Sequence, residues 1–187
     1  MSSKGLKTKA GYITWSDVKK LLQGLENDGN LEFLLLFAVG FFTALRISDI
    51  LNLKWEDVRG DFIKVTEKKT GKVRQIAVHK DLKRIIELCD DSEKGYIWDI
   101  GTNYVNKMIK ILFLKYKIKC YGNASSHLFR KTFGRAVVEN SNSKMDALIL
   151  LMDAFNHSSP AITKTYLGIR QDEIDELYTS LPKLDLK

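Results

Sequence analysis

Several features that would point at once to a function are missing from this sequence of 187 residues. It has two cysteines, Cys89 and Cys120, and their spacing fits neither a disulfide framework nor a set of metal ligands. A glycine-rich phosphate loop and an acidic cluster with two-metal spacing are lacking as well. We therefore expect a protein of the reducing cytoplasm whose chemistry requires no cofactor and no metal.

Long apolar segments are also missing. The longest apolar run, Phe33 to Leu45, covers 13 residues and includes Gly40 and Thr43. A helix needs roughly 20 apolar residues to cross a bilayer, so this run predicts a buried helix. The first nine residues have no apolar segment of the kind that a secretory signal requires. The sequence predicts a globular protein that does not contact a membrane.

The positive charge lies mainly in the middle of the chain. Residues 1–60 carry 8 basic and 7 acidic side chains, residues 61–138 carry 17 and 8, and residues 139–187 carry 5 and 8. A basic middle section is expected of a protein that binds a phosphate backbone, although a solvated lysine-rich surface has the same composition. The acidic last section is unsuited to DNA and indicates a protein partner.

Helical periodicity dominates the chain. Helices are predicted at about residues 14–26, 31–45, 47–53, 81–88, 102–116, 126–138, 143–155, 160–167 and 171–181. Residues 61–66 and 72–78 predict an antiparallel hairpin, and residues 96–98 predict a third short strand. The predicted fold class is mainly α with a small antiparallel β-sheet (α+β). Residues 1–10 are predicted to be a flexible basic arm, and residues 11–187 one domain.

Six polar residues in a fixed order carry the functional signal. Arginine and histidine side chains can neutralise a phosphodiester transition state, a tyrosine hydroxyl can attack phosphorus, and a lysine can protonate the departing oxygen. The residues of these types are Arg46, Lys69, His127, Arg130, His157 and Tyr166. Together they predict an enzyme that cuts DNA through a phosphotyrosine.

Each of these residues also has an ordinary structural explanation. Arg46 and Asp49 could form an ion pair within one helix, because three residues separate them. His157 could be a helix-terminal residue that bonds to backbone. Tyr166 could be a packing residue, and Lys69 a surface lysine of the hairpin turn. Only the joint pattern favours catalysis over these alternatives.

That joint pattern resembles the tyrosine recombinase (phage integrase) family, and specifically its catalytic domain. Four segments carry the resemblance: the first arginine block TALRISDILNLKWEDV, the hairpin VTEKKTGKVRQIAV, the block SSHLFRKTFG, and FNHSSPAITKTYLG with its histidine and tyrosine nine residues apart. Ala44 and Asn156 stand where the family often has glycine. Members usually carry a further N-terminal helical domain, so we expect this chain, in which that core-binding domain is absent, to be a catalytic-domain fragment or a minimal member.

The resemblance implies the tyrosine recombinase catalytic-domain fold and a role for each site residue. Tyr166 would attack the scissile phosphate and form a 3′-phosphotyrosine. The phosphate oxygens would be held by Arg46, Arg130 and His157, since the planar guanidinium binds two oxygens at once.

Three further roles follow from the same resemblance. His127 would accept the proton of the tyrosine, because a phenol with an ordinary pKa of about 10 is poorly ionised at neutral pH. Lys69 would protonate the 5′ oxygen as it leaves. Asp49 would support and orient these groups.

The function implied is that of a site-specific DNA recombinase or integrase acting on double-stranded DNA. The acidic, amphipathic segment at residues 171–181 resembles a C-terminal helix through which family members assemble, which implies a tetramer on DNA and a monomer when free. The alternative is that this segment folds back on its own domain. One alternative is DNA relaxation of the type IB topoisomerase kind. Another is a DNA-binding regulator without catalysis, which the complete set of reacting groups argues against.

Overall fold

The structure is a computed structural model that describes residues 10–69, 71–90, 95–169 and 179–180. Within these ranges the sheet consists of β1 (Phe62–Thr66) and β2 (Val73–Ala77). The helices are α1 (Trp15–Asn27), α2 (Leu31–Thr43), α3 (Ile47–Ile50), α4 (Trp55–Val58), α5 (Lys80–Cys89), α6 (Thr102–Lys115), α7 (His127–Glu139), α8 (Lys144–Phe155) and α9 (Pro160–Leu167). The predicted fold class, mainly helical with a small antiparallel sheet, is confirmed.

The chain divides into two compact units, Met1–Phe133 and Gly134–Lys187, and the division falls within α7. The core of the first unit is built around α2, which is buried on nearly all sides because apolar residues surround its axis. The rings of Phe37 and Phe41 contact Phe129, with centroids 5.3 and 4.9 Å apart. Gly40 permits this approach, since a Cβ there would lie 2.7 Å from the Phe129 ring.

Helix ends follow the capping residues of the sequence. The Thr14 hydroxyl oxygen accepts a hydrogen bond from the Asp17 amide at 3.1 Å and begins α1, as predicted. The α2 helix ends at Thr43, two residues before the predicted end. It ends there because Ala44 adopts a left-handed conformation (φ 53°), and its amide bonds to the Gly40 carbonyl.

The hairpin has one buried face. Ile63 and Val65 point into the core, while the residues between and beside them are exposed. Phe62 pairs with Ala77 and Thr66 with Val73, which fixes the register of the two strands. The Glu67 amide bonds to the Lys72 carbonyl at 2.9 Å and closes the connection between the strands.

The predicted third strand at residues 96–98 is wrong. Tyr96 forms only an isolated bridge with Lys54. The neighbouring amides of Trp55 and Ile97 bond to the Gly95 and Leu53 carbonyls. These residues pair with the segment between α3 and α4, so they cannot extend the hairpin. The apolar pattern of residues 96–98 instead reflects the burial of Trp98.

The second unit contains α8, α9 and the last part of α7. Its buried side chains include Leu148, Leu151, Phe155 and Leu167. Pro160 begins α9 and Gly168 (φ 74°) ends it, as predicted. The predicted helix at 171–181 lies outside the described residues, apart from positions 179 and 180.

None of the helices within the described ranges has the length and apolar character needed to cross a bilayer.

Both positions where the family often has glycine are left-handed. Asn156 ends α8 with φ 52°, and Ala44 ends α2 with φ 53°. Asparagine tolerates this conformation because its side chain bonds locally, whereas alanine gains no such compensation. A left-handed residue other than glycine costs roughly 1–2 kcal/mol. Ala44 therefore stores strain directly before the Arg46 segment.

Replacing Ala44 by glycine should relieve that strain. Ala38, in the middle of α2, is the matched control, since both alanines are buried and both replacements remove one buried methyl group. The extra backbone entropy of glycine in the unfolded chain opposes both replacements, so it does not distinguish them. Ala44→Gly should therefore unfold with a free energy about 1–2 kcal/mol higher than that of Ala38→Gly in urea titrations, which is the cost of the left-handed alanine. Equal free energies of unfolding would contradict the strain.

Candidate active site

Arg46 stands where α2 turns into α3. It is the N-cap of α3, with an extended backbone (φ −70°, ψ 147°), and its side chain is 24% exposed. The preceding Leu45 is buried, and its amide bonds to the Thr43 hydroxyl oxygen at 3.2 Å. This turn fixes the backbone from which the arginine side chain projects.

The alternative of an ion pair between Arg46 and Asp49 within one helix is wrong. Arg46 Nη1 instead pairs with Glu67 Oε2 at 2.8 Å. The reason is the extended backbone of Arg46, which places it before the helix rather than on a shared helical face. Glu67 is 2% exposed, and its second oxygen pairs with Arg74 Nη1 at 3.0 Å.

Asp49 connects α3 to the hairpin. It is 2% exposed, and its Oδ1 accepts a hydrogen bond from the Lys68 backbone amide at 3.0 Å. This bond holds the chain directly before Lys69. The carboxylate thus acts on the backbone of the hairpin, and the supporting role of Asp49 stays a prediction.

His127 and Arg130 occupy the first turn of α7. His127 is exposed, whereas Arg130 is 6% exposed and donates from Nη1 to the Ala44 carbonyl at 3.0 Å. Both side chains line a cavity of about 140 Å³ together with Arg46. The other lining residues are Leu45, Ile47, Ser48 and Ser126. On this measure one water needs roughly 10–15 Å³, so the cavity has room for a group larger than one water.

Lys69 lies in the connection between β1 and β2. Its side chain is exposed, and it is not among the residues that line the cavity. Its neighbour Lys68 is held by Asp49, and Glu67, two residues earlier, is held by Arg46. The hairpin that carries Lys69 is thus bonded to the Arg46 segment at two points.

His157 and Tyr166 lie together in the second unit. Their ring centroids are 5.5 Å apart with an interplanar angle of 69°. Phe155 contacts both rings, at centroid distances of 5.5 and 5.9 Å. The left-handed Asn156 ends α8, so His157 begins the connection to α9, on which Tyr166 lies.

The buried Thr163 holds the ring of His157. Its Oγ1 lies 2.9 Å from His157 Nδ1, and the residue is fully buried. One hydrogen bond joins Nδ1 and the hydroxyl, and the tautomer of the ring decides which of the two donates. The sequence placed Thr163 on the same helical face as Tyr166, but the contact with His157 could not be read from that spacing.

Sequence reasoning also missed Glu67 and Arg74. The alternation of Ile63 and Val65 continues to Glu67, so the strand pattern places a carboxylate on the buried face. A buried charge needs a partner, and the hairpin register puts Arg74 opposite Val65. The strand period could have indicated Glu67, but the partner Arg46 is distant in sequence.

The surroundings of the two cysteines disfavour their thiolate forms. Burial raises the pKa of the Cys89 thiol to about 11 and also raises the pKa of Cys120, which keeps both in the unreactive thiol form. Among the described residues, no group of three or more histidine, cysteine or acidic side chains could hold a metal ion.

Residues 12–173 match the sequence profile described as the Phage integrase family. The chain is 32% identical over 168 residues to the probable integrase/recombinase YoeC of Bacillus subtilis (strain 168). That alignment covers 86% of this chain and 90% of YoeC.

Solved recombinase structures share the fold. A crystal structure of XerA recombinase aligns with a TM-score of 0.69 and 22% identity, over 92% of this chain and 66% of that one. A post-cleavage complex of XerH site-specific recombinase with a palindromic difH substrate aligns with a TM-score of 0.69 and 15% identity, over 95% and 56%. The chain therefore spans about two thirds or less of these two proteins.

Proposed function

The chain belongs to the phage integrase family, and on that basis we propose that it is a site-specific DNA recombinase that works through a covalent 3′-phosphotyrosine. The observation that carries the proposal is the cavity of the first unit. Arg46, His127 and Arg130 line it together, and their side chains can bind a phosphate. The paired rings of His157 and Tyr166 in the second unit support it.

Arg46 and Arg130 would bind the non-bridging oxygens of the scissile phosphate. Guanidinium groups suit this role because their charge is permanent and their donors form a fixed fork. Arg130 is anchored by the Ala44 carbonyl through one nitrogen, which orients the group before DNA binds. Donors placed in advance need no reorganisation as negative charge develops on the phosphate.

Tyr166 would supply the nucleophile. Its oxygen would form a bond to phosphorus while the bond from phosphorus to the 5′ oxygen breaks, and its proton would pass to His127. His157, with its ring held by Thr163, would donate from Nε2 to a phosphate oxygen. The phosphotyrosine retains the energy of the broken bond, so a 5′-hydroxyl of another strand can reverse the step.

Lys69 would protonate the 5′ oxygen as it leaves. Without a proton the product would be an alkoxide, which is a poor leaving group, and a general acid typically contributes about 10²–10⁴-fold in rate. The two bonds that hold the hairpin to the Arg46 segment support this role, because they restrict where Lys69 can lie.

Double-stranded DNA is the proposed substrate, and a tetramer on DNA is the proposed assembly. The basic section of residues 61–138 suits the phosphate backbone. In the second unit Met145, Ile149, Leu150 and Ile162 are exposed, with 41–68% of their surface accessible. Apolar side chains of this kind would accept the apolar residues of a neighbour's 171–181 segment, which the sequence predicts to be helical.

For the proposed function, the first prediction concerns the covalent bond. Nicked duplexes of random sequence, incubated with the protein and then denatured, should yield DNA linked through its 3′ end, and the recovered duplexes define the site. Tyr166→Phe should abolish the adduct, because phenylalanine lacks the attacking oxygen. Tyr178→Phe is the matched control and should leave it unchanged. An adduct that persists in Tyr166→Phe would exclude this nucleophile.

The same adduct should form in excess chelator, because positive side chains fill the role that metal ions have in two-metal nucleases. Dependence on magnesium would indicate a nuclease instead. Strand exchange between two captured sites, as opposed to relaxation of a single plasmid, separates a recombinase from a topoisomerase.

The second prediction tests Lys69 through its leaving group. Replacing the 5′ bridging oxygen by sulfur removes the need for a proton, since a thiol is far more acidic than an alcohol. Lys69→Ala should cleave ordinary DNA about 10²–10⁴-fold more slowly and the sulfur-bridged duplex nearly as fast as the wild type. Arg130→Ala should stay slow on both duplexes, and Lys72→Ala should show no such difference. If Lys69→Ala also cleaves the sulfur-bridged duplex slowly, Lys69 is not the general acid and has a DNA-binding role only.

The third prediction concerns the acidic C-terminal segment. Deleting the chain from Asp172 onward should weaken the pairing of two DNA sites more than binding to one site, because the helix would dock on a neighbouring protomer. Gel shifts with one and with two captured sites measure both. Equal losses would mean that the segment serves the stability of its own domain.

A further inference from the structure

A buried carboxylate lies beside the phosphate-binding residues without a part in the proposed chemistry. Glu67 is 2% exposed and forms ion pairs with Arg46 at 2.8 Å and with Arg74 at 3.0 Å. Negative charge next to a phosphate site weakens anion binding unless it is compensated. A carboxylate in this place therefore needs a physical explanation.

The second arginine removes the electrostatic objection. Glu67 and Arg74 together are neutral, so Arg46 retains its full charge for a phosphate. The side chains of Arg46 and Arg74 are 24% and 23% exposed, while that of Glu67 is 3% exposed. Solvent can thus reach both guanidinium groups while the carboxylate between them stays buried.

Glu67 also joins two parts of the chain that must act together. Arg46 lines the cavity of the first unit, and Glu67 immediately follows β1, two residues before Lys69. The Asp49 bond to the Lys68 amide is a second connection between the same two segments. A shift of the hairpin would therefore pull on the guanidinium of Arg46.

We propose that Glu67 is a positioning residue that fixes the guanidinium of Arg46 and the Lys69 hairpin in one arrangement, with Arg74 cancelling its charge. This inference rests on the proposed function of the same site. It assigns Glu67 a task in geometry and no contact with the phosphate. A misplacement of about 1 Å at a reacting group can cost on the order of 10²-fold in rate.

The alternative, that Glu67 inhibits the enzyme by occupying Arg46, makes the opposite prediction. Glu67→Gln keeps the shape and removes one negative charge. An inhibitory carboxylate, once removed, would leave a faster enzyme. A positioning carboxylate, once removed, would leave a slower enzyme that binds DNA equally well or more tightly, because the variant is more positive.

The experiment measures DNA affinity and single-turnover cleavage on a duplex captured by the wild type. Glu67→Gln should cleave on the order of 10²-fold more slowly, with unchanged or tighter binding. Asp61→Asn is the matched control, since Asp61 precedes β1, carries the same charge and pairs with Lys83 at the surface. It should cleave at the wild-type rate. If Glu67→Gln does not fold, the Glu67→Asp variant, which keeps the buried charge, is measured in its place.

Hydrogen exchange of the hairpin amides in the free protein tests the connection without catalysis. Exchange at residues 62–77 should be faster in Glu67→Gln and unchanged in Asp61→Asn. Three results for Glu67→Gln would each overturn the inference while leaving the proposed function intact. They are cleavage at the wild-type rate, faster cleavage, and parallel losses of binding and cleavage. If the wild type captures no duplex, the proposed function fails, and hydrogen exchange alone decides whether Glu67 holds the hairpin.

Discussion

The turn at Ala44 is the constraint on which the candidate phosphate-binding residues of the first unit depend. Its left-handed backbone ends the buried helix α2 and sends the chain into α3, so that Arg46 becomes the N-cap of that helix. The carbonyl of Ala44 accepts the hydrogen bond that anchors Arg130 on α7. Two arginines that are distant in sequence are therefore positioned by a single residue. The strain at this residue is maintained by the burial around it.

Buried carboxylates organise the remainder of this region. Asp49 binds the backbone of the hairpin, and Glu67 binds two guanidinium groups, so each acts on a neighbour rather than on the cavity itself. In a low-dielectric environment such bonds are strong and directional, which suits residues that must hold others in place. The charge that a phosphate would meet comes from the arginines.

Local chemistry allowed much of the architecture to be predicted. The capping Thr14, the helix-ending cluster after α1, the hairpin around Gly71 and the Pro160 to Gly168 helix all act through residues adjacent in sequence. Candidate reacting groups could also be named, because phosphate chemistry favours particular residue types. One failure occurred where distant segments compete, since residues 96–98 pair with the α3–α4 connection. Another was local, since α2 ends two residues early at the left-handed Ala44.

The sequence by itself determined the fold class, which follows from periodicity. It also determined the family and the candidate reacting residues, which follow from the resemblance of four segments to the phage integrase family. Only the tertiary structure decided which partner each charged residue has. Arg46 pairs with Glu67 rather than with Asp49, and His157 contacts Thr163 and Tyr166. The physical reason is that a buried charge or ring nitrogen takes the partner that the packed chain brings within about 3 Å, and sequence spacing alone does not measure that distance.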